Sequence, residues 1–78
     1  MKTKKLVELT KNQSGIVCYV EGDIFIKRRL LELGFVNGTE IKVLNISPLK
    51  NTYLISLQDY CLALRKNSLE LVSVVVND

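Results

Sequence analysis

Between Asp23 and Gly34 the chain reads DIFIKRRLLELG, and both ends of a helix are written into it. Asp23 is placed as an N-cap, where its carboxylate accepts first-turn amides and suits the positive end of the helix dipole. Gly34 is placed as the left-handed stop, because it carries no Cβ to clash there. From Ile24 to Leu33, at about 100° per residue, Ile26, Leu30 and Leu33 share one face. Ile24 and Leu31 widen that apolar arc, and Arg28, Arg29 and Glu32 fall opposite. Phe35 follows the stop and is expected to fold back on Leu30.

The rest of the chain is patterned for strands. Ile16, Cys18 and Val20 alternate with Val17, Tyr19 and Glu21. After an Asn37-Gly38 turn, TEIKVLNI points Ile41, Val43 and either Leu44 or Ile46 inward. TYLISLQ and YCLALRK follow, divided by a tight turn at Asp59-Tyr60. In the second of these, Leu62 and Leu64 lie on one face and Cys61, Ala63 and Arg65 on the other. NSLELV predicts a single helical turn capped by Asn67 or Ser68, and LVSVVV closes as a β-branched strand. LVELTKNQSG is a short apolar segment and a polar turn ending at Gly15. Residues 1–5, MKTKK, carry no apolar pattern and are expected to fray. These spacings predict one domain over residues 1–78, mainly β. It is a small barrel of about five strands, with one α-helix inserted after the first.

Composition narrows the chemistry. Hydrophobic residues make up 47% and charged residues 24%, a globular balance. The net charge of +3 sits in the first half of the chain, a weak field beside the basic stripe of a dedicated nucleic-acid binder. There is no histidine, which removes the commonest general base and the commonest metal ligand together. Cys18 and Cys61 fall in separate strands with no CxxC spacing, and read as small buried hydrophobes with reduced thiols. Glu21 and Asp23 are the one close carboxylate pair, read as a surface residue and a cap, with a weak cation site as the alternative. No glycine-rich phosphate loop is present. No catalytic residue, cofactor or metal ligand is therefore assigned. No run reaches the ~18–20 apolar residues that span a bilayer, and the lysine-rich start lacks the apolar core of a signal peptide. A cytoplasmic protein without membrane insertion is expected.

The residues left over for function are few. Lys27-Arg28-Arg29 is a solvated helix face, a protein-docking face or a nucleic-acid grip. The dispersed tyrosines and phenylalanines form no stacking platform, which disfavours the last. Phe25 projects to the polar side, between Arg28 and Arg29. Either the helix starts later and Phe25 folds onto the barrel, or it is an exposed aromatic anchor beside two arginines. Pro48-Leu49 either caps a barrel end or offers an exposed contact.

RRLLELGFVNGTEIKVL, followed by SPL and then LALRKNSLELVSV, resembles the FeoA family. The similarity runs from about Gly15 to Val76. Its most specific parts are Leu30-Leu31 with Leu33-Gly34 and Gly38, the step Ser47-Pro48-Leu49, and Leu62-Ala63-Leu64-Arg65. The resemblance implies an SH3-like barrel with the helix after the first strand. It implies a non-enzymatic partner of FeoB, the GTPase-linked ferrous-iron transporter, with Phe25, Lys27, Arg28, Arg29, Pro48 and Leu49 as the contact residues. Transition-metal association then belongs to the family, and iron enters through the partner, at the inner face of the membrane. The same domain type is also fused to metal-responsive repressors. The alternative is therefore an accessory domain of a transcriptional or nucleic-acid-binding system, although a chain with no helix-turn-helix favours transport. Homo-oligomerisation is left open. The family pattern has proline at Asn37, glycine at Lys50, proline at Thr52 and a glycine near Gln58-Asp59. With the loop glycine gone, Asn51 is expected to take the positive φ.

Overall fold

A computed structural model describes residues 1–77. Helix α1 spans Ile24–Leu33, with both ends where the sequence sets them. The Asp23 side chain accepts the Ile26 amide at 3.0 Å. Gly34 takes φ 113°, and the Phe35 N–H donates to the Leu30 carbonyl at 3.0 Å. Phe35 is fully buried and Leu30 nearly so. The rest of the expected apolar arc is only partly covered: Ile24, Ile26 and Leu31 are exposed, and Leu33 is half-buried against the core. The helix is held by one buried turn and the aromatic after it.

The strands are β1 (Lys2–Lys5), β2 (Ser14–Val20), β3 (Glu40–Ile46), β4 (Thr52–Leu57), β5 (Tyr60–Arg65) and β6 (Val72–Val76). They form one antiparallel sheet of six strands in the order β1-β6-β2-β3-β4-β5. Side chains from β2, β3, β4 and β6 enter a single core with Leu6, Leu9, Leu30, Phe35 and Leu69. Tyr53 reaches that core with its hydroxyl satisfied, donating to the Val7 carbonyl at 2.8 Å.

The expectation of about five strands, a frayed start and a helix after the first strand is corrected. Residues 2–5 form β1, paired with β6 from Lys2↔Val76 to Lys5↔Ser73, so α1 follows the second strand. KTKK carries no hydrophobic signal because its stabilisation is a backbone ladder. Lys5 adds an ion pair with Glu21, and its amide donates to Glu8 at 2.7 Å across a 3-10 turn, Leu6–Glu8. No ladder joins β1 to β5 among the described residues, so the sheet keeps two edges instead of closing into a barrel.

Two bulges explain where simple alternation fails. The β2–β6 register shifts between Val17 and Tyr19, and the β3–β4 register between Val43 and Asn45. An extra residue in one strand reverses the inward set beyond it. Val17 and Val20 are thus both buried, whereas the alternation pairs Val17 with Tyr19. Cys18 is half-buried, its Sγ donating to the Ser73 carbonyl at 3.4 Å, and Cys61 is exposed. The reading of both cysteines as buried hydrophobes is therefore corrected. The turn between β4 and β5 is Gln58-Asp59, one residue earlier than expected. A short helix α2, Lys66–Leu69, starts after Arg65 without a side-chain cap, so neither Asn67 nor Ser68 caps it.

Lys50, not Asn51, takes the positive φ of the β3–β4 loop, at 59°, and Gln58 has φ 47°. These are positions at or beside the lost glycines of the FeoA pattern. A left-handed conformation costs a residue with a Cβ about 1–2 kcal/mol, part of which glycine returns as unfolded-state entropy. Lys50 is exposed and its side chain is not needed by the turn, where its amide donates to Ser47 at 2.8 Å. Lys50→Gly is expected to stabilise the fold by about 0.5–1 kcal/mol, or roughly 3–6 °C in Tm, measured by thermal denaturation. An unchanged or lower Tm would contradict this account of the loop.

Candidate partner-binding surface

The outer side of α1 exposes several large apolar side chains. Phe25 is 79% exposed and Ile24 64%, with Leu31 beside them. Phe25 is thus not folded onto the sheet. Tyr19, on the outward row of β2, stands next to this face, with the Lys27 Nζ 6.0 Å from its ring centroid. A cleft of about 420 Å³ is lined by Gly22, Ile24, Lys27, Arg28 and Leu31. A smaller one between α1 and β2 is lined by residues that include Tyr19, Lys27, Leu31 and Phe35. Lys27 and Arg28 therefore border an apolar cleft and do not form a separate basic patch.

The other candidates fall elsewhere. Arg29 follows Phe25 by one helical turn and lines a groove shared with β5 and α2. Pro48 and Leu49 sit at the tip of the β3–β4 loop, and Leu49 is 84% exposed. Leu49 caps nothing. The Ser47 hydroxyl builds that loop, accepting the amides of Asn51 at 3.2 Å and Thr52 at 3.1 Å. No cleft brings Leu49 together with Phe25, so the six sequence candidates divide between α1 and the β3–β4 loop. Tyr19, Ile24 and Leu31 belong to the surface and were not assigned from sequence. Tyr19 is displaced by the bulge, and the exposure of Ile24 and Leu31 depends on how shallowly the helix docks.

Among the described residues no three His, Cys, Asp or Glu side chains converge, and no helix is long and apolar enough to cross a membrane. Asp23 is occupied as a cap and Glu21 by Lys5.

The FeoA domain family matches residues 4–76. A curated relative, the fused Fe(2+) transport protein A/Fe(2+) transporter FeoB of Porphyromonas gingivalis, is 31% identical over 70 residues. That match takes in 90% of this chain and 8% of the fusion protein. The solution structure of FeoA from Chlorobium tepidum has a TM-score of 0.87 at 31% identity, covering 96% of this chain and 71% of that one. The zinc complex of Stenotrophomonas maltophilia FeoA, described as a prokaryotic SH3 domain protein, has a TM-score of 0.77 at 32% identity, covering 95% and 89%. A manganese-dependent transcriptional repressor has a TM-score of 0.87 at 14% identity, with 42% of its length covered, which is a likeness of fold alone.

The mainly β sheet and single long helix define an SH3-like module whose helix carries exposed apolar residues. The chain belongs to the FeoA domain family.

Proposed function

We propose that this chain is a non-enzymatic, cytoplasmic interaction module that supports ferrous-iron uptake by binding the GTPase part of a FeoB-type transporter. The reading rests on Phe25, a large aromatic held in solvent on a capped helix beside Lys27 and Arg28. Aromatic and arginine side chains dominate interface hot spots, and an apolar cleft lined by Ile24 and Leu31, with exposed Phe25 on the adjoining helix face, is what a docking face requires. The fusion of a related FeoA to FeoB in Porphyromonas gingivalis supports the choice of partner. Leu49 offers a second, separate contact.

A rigid module changes a GTPase by binding its nucleotide states with different affinity. The measurement is titration of the chain against the soluble GTPase part of the transporter from the same genome, in GDP and GTP-analogue states. Saturable binding with a state-dependent Kd is expected. No binding at hundreds of micromolar in either state would refute the reading. The repressor-type alternative has only fold likeness behind it, and the basic residues here edge an apolar cleft.

A further inference from the structure

The sheet has two edges, and they are built differently. β1 carries Lys2, Lys4 and Lys5, and lysines on an edge strand discourage another strand from pairing with it. β5 reads YCLALR, with no charge before Arg65 and no bulge in its pairing with β4. Natural sheets rarely leave such an edge bare without a use for it.

The register shows which backbone groups β5 leaves open. Leu57 and Tyr60 flank a two-residue turn, so they are the hydrogen-bonded pair nearest to it. Bonded and non-bonded pairs alternate along an antiparallel ladder. Leu62, opposite Ile55, and Leu64, opposite Tyr53, thus bond to β4, and the sequence continues at Lys66, whose amide donates to Asn51 at 2.9 Å. Cys61 and Ala63 turn both N–H and C=O away from β4, and Arg65 its N–H, its carbonyl being taken by the first turn of α2. Along this edge runs a groove of about 420 Å³, with Ile26, Leu30, Leu64 and Leu71 among its apolar lining. Its charged members are Arg29 from α1 and Arg65 from β5, and no carboxylate lines it.

We propose that β5 is a strand-addition site for an extended acidic segment of a protein partner. The segment would bond to the backbone of Cys61, Ala63 and Arg65, set alternate apolar side chains against Ile26 and Leu64, and place carboxylates on Arg29 and Arg65. Main-chain bonds supply affinity in this mode, and the pockets beside the edge supply specificity. Phe25 does not line this groove, although Arg29 lies one helical turn after it, and the proposal does not depend on the identity of the transporter partner.

The probe is a capped heptapeptide of alternating glutamate and valine, with its lysine–valine counterpart as control, titrated into the isotope-labelled chain and followed by amide chemical shifts. The glutamate peptide is expected to move the Cys61, Ala63 and Arg65 amides saturably, and the lysine peptide is not. Ala63→Pro removes an outward amide without breaking the β4 ladder and is expected to weaken binding at least tenfold. Arg29→Glu/Arg65→Glu, both exposed positions, is expected to do the same and serves if the proline variant fails to fold. Phe25→Ala is expected to bind the peptide as the wild type does, which separates failure here from failure of the docking reading above. The proposal is overturned if the glutamate peptide gives no saturable shift, if both peptides bind alike, or if both edge variants bind as well as wild type. It is also overturned if the β5 amides shift with protein concentration alone, which would put a second copy of the chain on the edge.

Discussion

Phe25→Ala is expected to weaken binding to the transporter's GTPase part roughly 30- to several-hundred-fold, which is about 2–4 kcal/mol. The same change is expected to leave folding stability within about 0.5 kcal/mol of wild type. Both expectations have one cause. The ring is 79% exposed, so it contributes little to the core and has most of its apolar surface to bury against a partner. Arg28→Glu is expected to act mainly on the association rate and to lose its effect in high salt, because Arg28 is exposed at the rim of the cleft. Leu49→Asp separates the surfaces: if the β3–β4 loop touches the partner, its loss adds to that of Phe25→Ala, since no cleft joins the two sites. Calorimetric titration of the three variants, each first shown to unfold as cooperatively as wild type, makes the measurement. Wild-type affinity in all three would remove the helix face and the loop from the interface.

The contrast between Phe25 and Phe35 marks how far the sequence could be read. The helix was legible at both ends because its boundaries are local chemistry: a carboxylate over free amides at Asp23 and a missing Cβ at Gly34. The long strands were legible because their apolar residues repeat every second position. β1 was not, since its lysines carry no periodicity and the strand exists only through a ladder to β6, at the other end of the chain. The bulge at Cys18 was also invisible, for the choice of which residue to leave unpaired is made by the partner strand. Helical projection put Phe25 on the polar side, and that was informative. It does not say how deeply α1 sinks, and the apolar arc it draws includes Ile24 and Leu31, which belong to the surface. The clefts beside α1 arise from that shallow docking. They are a tertiary property and have no signature in any short stretch of residues.

Shallow docking also makes Phe35→Ala the most damaging single change expected in the chain. Phe35 is fully buried, and truncating a buried phenylalanine costs about 3–5 kcal/mol once the cavity is counted. At roughly 0.05–0.15 kcal/mol per residue, a chain of 78 residues has about 4–12 kcal/mol to lose. The variant is therefore expected to lose a quarter or more of its stability, with its urea midpoint lowered in proportion. The loss should not be uniform. The Phe35 ring and Leu30 are the fully packed anchors of a helix whose Ile24, Ile26, Leu31 and Leu33 are only partly covered. Amide exchange in residues 27–33 is expected to accelerate more than exchange in β3 and β4, whose ladders do not pass through Phe35. If α1 loosens first, the apolar docking face loses its frame while the sheet survives, and partner binding should fail at urea concentrations where the strands are still protected. Equal acceleration throughout would mean that helix and sheet unfold as one unit, and that the docking face is as stable as the core beneath it.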